Sequence, residues 1–302
     1  MSLLLAKRSN SYLSNYRTYI NVSGTGDNNH MQRLHNQVIV ITGARSIGAH
    51  MGAKFAAEGA KLIAFLDIDD EALNKAITMV ESAGGTAIGY HTNITDPNAV
   101  KDTIKKLYEK TNAIDALVNH AGGAYPKAGI ENVHNLSELD ANTWDVSIQL
   151  NLNAQYYCVA AVLPFMEQQH KGVILHIGSV NGNFALGFPA YSAGKSGLHS
   201  LNRYIAVEKG RYNIRSNILS PASIKTEAWE LRIKKSPNVL KTVEAYYPLG
   251  HIVDYEDVNN TAAFLLSDEA KSITGIDLVL DAGLLAGSAS MIRSEERRVG
   301  KE

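Results

Sequence analysis

Residues 37–48 read QVIVITGARSIG, and the parsing of this stretch decides the fold. Gln37 to Thr42 is an apolar, β-branched run, the pattern of a strand covered on both faces. Gly43 ends it, and Ala49 to Glu58 then reads as a helix closed by Gly59. A strand that breaks at glycine and opens a helix aims backbone N–H groups and a positive helix end at one point. Phosphate is held well there.

The same alternation continues outward. Lys61–Leu66 is a second strand, followed by a helix with Leu73, Ile77 and Val80 on one face and a stop at Gly84 and Gly85. Thr86–His91 is a third strand, and Pro97 opens a helix that aligns Val100, Ile104 and Leu107. Ala116–Asn119, Val173–Ile177, Ile214–Leu219 and Asp277–Leu280 supply four more strands. Strands spaced by helices of this length require crossover connections and hence a parallel sheet with helices on both faces. The prediction is a doubly wound α/β chain: a single-domain Rossmann fold with a seven-stranded parallel sheet. Its expected span is 32–290, with one long interruption of the alternation at Ala222–Pro248.

Composition narrows the function. The 302 residues are 45% hydrophobic and 20% charged, with a formal net charge of -1. That balance argues against nucleic acid or an anionic membrane as the main partner. No apolar run approaches the roughly 20 residues of a membrane-spanning helix. The lone Cys158 cannot form an internal disulfide, suits a reducing compartment and reads as buried packing. Residues 1–31 carry Lys7, Arg8, Arg17 and several serines, with no acid before Asp27. They resemble a mitochondrial transit peptide; a disordered extension, or a true start at Met31, are the alternatives. The expected location is cytoplasmic, or the mitochondrial matrix if the extension is a transit peptide. Residues 291–302 are expected to be an artefactual tail, because Arg293–Glu302 (RSEERRVGKE) resembles the translation of a sequencing-adapter oligonucleotide.

Three features carry chemistry. The turn Gly43-Ala44-Arg45-Ser46-Ile47-Gly48 is placed to meet a pyrophosphate, and Asp67 follows strand two. A carboxylate there accepts ribose hydroxyls and repels a 2′-phosphate, which favours NAD; Arg45 is the residue that would instead attract the extra phosphate of NADP. Tyr191 and Lys195 are four apart and share a helix face. A phenol with a pKa near about 10 is a poor base at neutral pH, and a neighbouring ammonium favours its ionised form. Ser179, just beyond a strand end, can hold a reacting oxygen while Tyr191 exchanges its proton. No G-x-S-x-G elbow surrounds Ser179, which counts against a serine hydrolase. His91, His176 and His199 lack metal-ligand spacing, so no metal is expected.

From about Val38 to Gly287 the chain resembles the short-chain dehydrogenase/reductase family. The glycine turn is similar to TGxxxGxG but is one residue short, lacking a glycine between Gly43 and Gly48. Asn119-His120-Ala121-Gly122 resembles NNAG, and Pro221-Ala222-Ser223-Ile224-Lys225-Thr226 resembles PGxIxT. Asn151, Ser179, Tyr191 and Lys195 fall at the family's catalytic positions. Pro248-Leu249-Gly250, Ile273-Thr274-Gly275 and Asp281-Ala282-Gly283 match later segments.

The resemblance implies an NAD(P)-dependent oxidoreductase that moves a hydride between the nicotinamide and a secondary alcohol or ketone. It makes Tyr191 the acid/base, Lys195 its pKa-lowering partner and a ribose contact, Ser179 the substrate-oxygen holder, and Asn151 the anchor of a relay water. Implied cofactor-binding residues are Gly43, Arg45, Ser46, Ile47, Gly48, Asp67, Asn93, Ile94, Asn119, Ala121, Gly122, Tyr191, Lys195, Pro221, Ile224 and Thr226. It further implies a homotetramer or homodimer built through long helices and the last strand. Asn93 stands where the family commonly has Asp, and His120 replaces the second Asn of NNAG. The shortened turn keeps a second reading open, a catalytically weak nucleotide-binding or regulatory relative. The resemblance also makes about 222–250 a substrate lid, and its Trp229, Leu231, Tyr246 and Tyr247 point to an apolar or ring-shaped substrate, or else pack on the body. Candidate substrates are 3-oxoacyl thioesters, sugars, steroids and small ketones.

Overall fold

The computed structural model describes residues 32–124 and 136–287. The expectations for residues 1–31 and for the tail from 291 lie outside the described residues. Seven strands, β1 (Val38–Thr42), β2 (Leu62–Asp67), β3 (Ala87–His91), β4 (Ala116–Asn119), β5 (Gly172–Ile177), β6 (Ile214–Pro221) and β7 (Asp277–Leu280), form one sheet in the order β3-β2-β1-β4-β5-β6-β7. Every neighbouring pair is parallel. The order reverses between β1 and β4, so the crevice for a ligand opens at their carboxyl ends.

The helices are α1 (Ile47–Ala57), α2 (Asp70–Ser82), α3 (Pro97–Thr111), α4 (Ala141–Ile148), α5 (Ala154–Gln169), α6 (Pro189–Lys209), α7 (Glu227–Lys235), α8 (Val239–Glu244) and α9 (Tyr255–Leu266). Carboxylates set several of their starts. Asp69 and Asp96 accept the first free N–H groups of α2 and α3, and Asp254 with Asp257 forms a reciprocal capping box at α9.

Two apolar layers sandwich the sheet. One joins Ile39, Ile41 and Phe65 to Met51 and Phe55 of α1, Val80 of α2 and Leu265 of α9. The other joins Val40, Leu117 and Ile174 to Ile104 and Leu107 of α3 and Val159 and Val162 of α5. Cys158 is buried in this second layer, and burial pushes its thiol up to about 12. Strands covered on both faces have no polar side to display, which is why β1, β4 and β5 are almost wholly apolar. No helix among the described residues is long and apolar enough to cross a membrane.

Candidate active site

The glycine turn is tighter than its sequence suggests. Gly43 adopts φ +83°, and a methyl built on Gly48 would lie 2.0 Å from the Gly43 carbonyl oxygen. Only glycine fits at Gly48. Ser46 takes φ 47° and ψ -114°, left-handed backbone that glycine adopts most easily. Ser46 therefore adopts the backbone conformation that suits a glycine. Ser46 places no capping side chain over α1, and the Gly48 N–H turns back to the Arg45 carbonyl at 3.0 Å. A cleft of about 350 Å³ lined by Ala44, Arg45, Ser46, His50, Asp69 and Glu227 opens beside the turn. A positive helix end and a glycine corner suit the pyrophosphate of a dinucleotide.

Asp67 ends β2 and is already engaged. Its Oδ2 accepts from the Ala44 N–H at 2.7 Å and its Oδ1 from the Asp69 N–H at 3.0 Å. Arg45, exposed at the turn, pairs with Asp69 across the cleft. Ile47 packs partly on the core beneath the turn.

Beyond β3, Asn93 is exposed and its Oδ1 accepts from the Thr95 N–H at 3.1 Å and hydroxyl at 2.8 Å, which leaves its amide hydrogens outward. Ile94 is buried in the core. At the end of β4, Thr42 Oγ1 accepts from the N–H groups of His120 and Ala121 at 3.0 and 3.1 Å, clamping β1 to β4. Asn119 departs from expectation. Its fully buried amide donates to the Gln155 carbonyl at 3.1 Å, so the side chain braces β4 against α5 and does not line the crevice.

Between α4 and α5 the helix passes through one π turn, Gln149–Asn153, and Asn151 sits inside it. The Asn151 amide donates to the Gly123 and Ser147 carbonyls, each at 3.0 Å, and its oxygen accepts from the Gly123 N–H at 2.9 Å. Its hydrogens are committed to backbone. Any relay water anchored here must use oxygen. Methyls built on Gly122 and Gly194 would lie 2.7 Å from Asn151 Oδ1 and 2.9 Å from Asn151 Cβ. These glycines let β4's loop and α6 close on the π turn.

Ser179, just past β5, is 8% exposed; its Oγ accepts from the Asn181 N–H at 3.2 Å, and its hydroxyl is close enough to Tyr191 to favour the phenol's ionised form. Lys195, 3% exposed, donates to the last β5 carbonyl, Ile177, at 2.7 Å, and its Nζ lies 5.7 Å from the Tyr191 ring centre. Burial pushes Lys195 down to about 7. Burial also raises Tyr191, and the neighbouring Ser179 hydroxyl pulls it partly back. The expectation that Lys195 lowers the phenol is thus not met in this form. The ammonium donates to the Ile177 carbonyl, and burial sets the direction of the phenol's shift.

Pro221 ends β6; Ile224 bridges in parallel to Val253, and Thr226 precedes α7 without capping it. Within residues 222–250, Trp229 and Tyr247 are buried in a small cluster with Ile252, whereas Leu231 and Tyr246 are exposed. The sequence reading missed one contact chain altogether. Tyr255 of α9 hydrogen-bonds Ser46 Oγ at 2.7 Å and donates to Glu227 of α7 at 2.7 Å, stacked on His50 at 4.0 Å. It also left Gly194 and the ring of His120 without a role. Of the histidines, His91 pairs with Asp70, His199 lies 3.5 Å from Asp277, and His176 is buried against Gln155. No cluster of metal-ligating side chains occurs among the described residues.

A family model described as Enoyl-(Acyl carrier protein) reductase matches residues 41–285. The chain is 33% identical to the 3-oxoacyl-acyl-carrier-protein reductase of Thermotoga maritima, over 84% of its own length and 99% of the relative's. It is 36% identical to a solved oxidoreductase of the short chain dehydrogenase/reductase family from Burkholderia thailandensis, with a TM-score of 0.76 over 86% of this chain and 97% of that one. The chain belongs to the short-chain dehydrogenases/reductases. Carveol dehydrogenase from Mycobacterium avium, solved in complex with NAD, is a more distant member at 26% identity and a TM-score of 0.77, covering 84% of this chain and 99% of that one. This short-chain dehydrogenase/reductase is therefore an oxidoreductase that uses a nicotinamide cofactor on a small alcohol or carbonyl substrate. Nothing in these likenesses favours a catalytically weak relative over an enzyme.

Proposed function

We propose that the enzyme oxidises a secondary alcohol, or reduces the matching ketone, at a centre made by Ser179, Tyr191 and Lys195. The observation that carries this reading is that Ser179 and Tyr191 are neighbours at the carboxyl edge of the sheet, with the Lys195 Nζ 5.7 Å from the Tyr191 ring centre and held on the last carbonyl of β5. The nicotinamide supplies or accepts the hydride when bound. In reduction Ser179 holds the carbonyl oxygen and the Tyr191 hydroxyl gives it a proton. Lys195, in contact with the Ile177 carbonyl, supports recharging of Tyr191 from the side of Gly122, where a built methyl would lie 3.4 Å from its Nζ and 2.7 Å from Asn151 Oδ1.

NAD is the favoured cofactor. Asp67 and Asp69 both stand at the end of β2, and Arg45 is neutralised by Asp69, so a 2′-phosphate would meet net negative charge. Residues 222–250 act as the substrate lid, whose exposed Leu231 and Tyr246 favour an apolar substrate over a sugar. We further propose a homodimer or homotetramer through α5 and α6, on which Tyr156, Tyr204 and Val207 are exposed.

The test is direct. NADH and NADPH binding are titrated by fluorescence, and turnover is followed at 340 nm on a panel of alcohols and ketones. Tighter binding of NADH and turnover of an apolar secondary alcohol are expected. A preference for NADPH would overturn the cofactor assignment, and binding without turnover of any panel member would count against the catalytic one.

A further inference from the structure

The turn that receives the cofactor is one residue short, and a space-filling side chain from another strand lies directly beneath it. His120 follows β4, and its Nδ1 is 3.2 Å from the Thr42 carbonyl oxygen and 3.4 Å from that of Gly43. Both partners are acceptors, so Nδ1 carries the hydrogen and donates. Methyls built on Gly43 and on Gly48 would each lie 2.9 Å from the same Nδ1. The imidazole therefore touches the first and last glycine of the turn at once.

We propose that His120 is a positioning residue that holds the shortened turn 43–48 in its cofactor-receiving shape, so that histidine and turn length are matched to one another.

Three observations support the match. Ser46 sits in strained left-handed backbone, which persists only where neighbours over-determine it. The His120 N–H is itself fixed to Thr42 Oγ1 at 3.0 Å, so the ring has a rigid base. Burial and the nearby Lys195 charge push the imidazole down to about 4, so it stays uncharged beside the turn at neutral pH. An asparagine at this position, as in the family's NNAG, is shorter than imidazole and would leave a gap beneath this turn. A turn lengthened by one glycine moves away from the ring and no longer depends on it. This inference rests on the turn receiving the nicotinamide cofactor.

A double-mutant cycle tests it. H120N is made in the natural chain and in a chain with one glycine inserted between Ser46 and Ile47. NADH dissociation constants are measured by fluorescence titration, with KM for NADH, kcat and thermal midpoints alongside. In the natural chain H120N should raise Kd and KM about tenfold while kcat changes by less than about threefold, the loss of a binding interaction of about 1.4 kcal/mol. In the lengthened chain the same substitution should change Kd by less than about twofold. Equal effects in both backgrounds, or no effect in the natural chain, would overturn the match. If H120N does not fold, H120S, which is too short to reach the Thr42 and Gly43 carbonyls, takes its place in the same cycle with the same expectations. A natural chain that binds neither NADH nor NADPH overturns the functional reading and this inference together; binding with an additive cycle overturns this inference alone.

Discussion

Gly194 of α6 packs against Asn151 of the π turn so closely that a methyl on Gly194 would lie 2.9 Å from the Asn151 Cβ. The glycine inside Tyr191-Ser192-Ala193-Gly194-Lys195 thus sets how near the helix bearing the phenol and the ammonium comes to the π turn. Gly194→Ala should push α6 outward by a few tenths of an ångström or more. The expected result is a kcat lowered about tenfold to a hundredfold, with NADH affinity changed far less, since displacement of reacting groups costs rate steeply. Alanine also has the better helix propensity, so a protein of unchanged thermal midpoint with wild-type kcat would show that the contact sets nothing.

Tyr191→Phe removes the phenol hydroxyl that neighbours Ser179 at the sheet edge. Turnover should fall by roughly a hundredfold or more, and NADH binding should stay close to that of the natural chain. Steady-state rates paired with a fluorescence titration separate the two effects. Turnover that survives the substitution would remove the proton role from this residue.

The fold was legible because its strands are buried on both faces. β4 and β7 begin and end where the apolar runs do, and other strand bounds moved by only a residue or two. The first helix was expected from Ala49 but starts at Ile47, since the shortened turn winds directly into it. The π turn at Gln149–Asn153 left no trace in the sequence, because one extra residue in a helical turn changes no composition or period that can be read. The link from Ser46 to Tyr255 spans 209 residues of chain, and no local pattern reports such a meeting. Spacing showed that Tyr191 and Lys195 share a face but could not show how dry that face is. The direction of the phenol's shift was misjudged for that reason.

Asp67 shows how structure alters a substitution's meaning. Both oxygens accept backbone N–H groups, from Ala44 and from Asp69. Asp67→Asn would set an amide donor against one of those donors whichever way it turned. A stability loss of about 1–3 kcal/mol is expected from the unsatisfied pair, together with weaker NADH binding and a narrower NADH advantage over NADPH. Urea midpoints and parallel titrations of the two cofactors check both parts. A variant as stable as the natural chain would mean that the turn is not held through Asp67.

Lys195 makes stability depend on pH in a calculable direction. Its folded pKa is pushed by burial down to about 7, whereas an unfolded lysine titrates near about 10.4. Between these values the unfolded chain binds more protons than the folded one, so rising pH stabilises the fold. The penalty for burying the ammonium is fully present below about pH 7, shrinks across the window and is gone above about pH 10.4. Each pH unit inside the window is worth at most about 1.4 kcal/mol. Lys195→Met has no ammonium to bury, so its stability relative to the natural chain should be greatest at pH 6.5 and should decline steadily toward pH 9.5. Urea unfolding of both proteins at those two pH values measures the decline. A constant difference between them would mean that Lys195 keeps its ordinary pKa in the folded chain and that its burial carries no electrostatic cost.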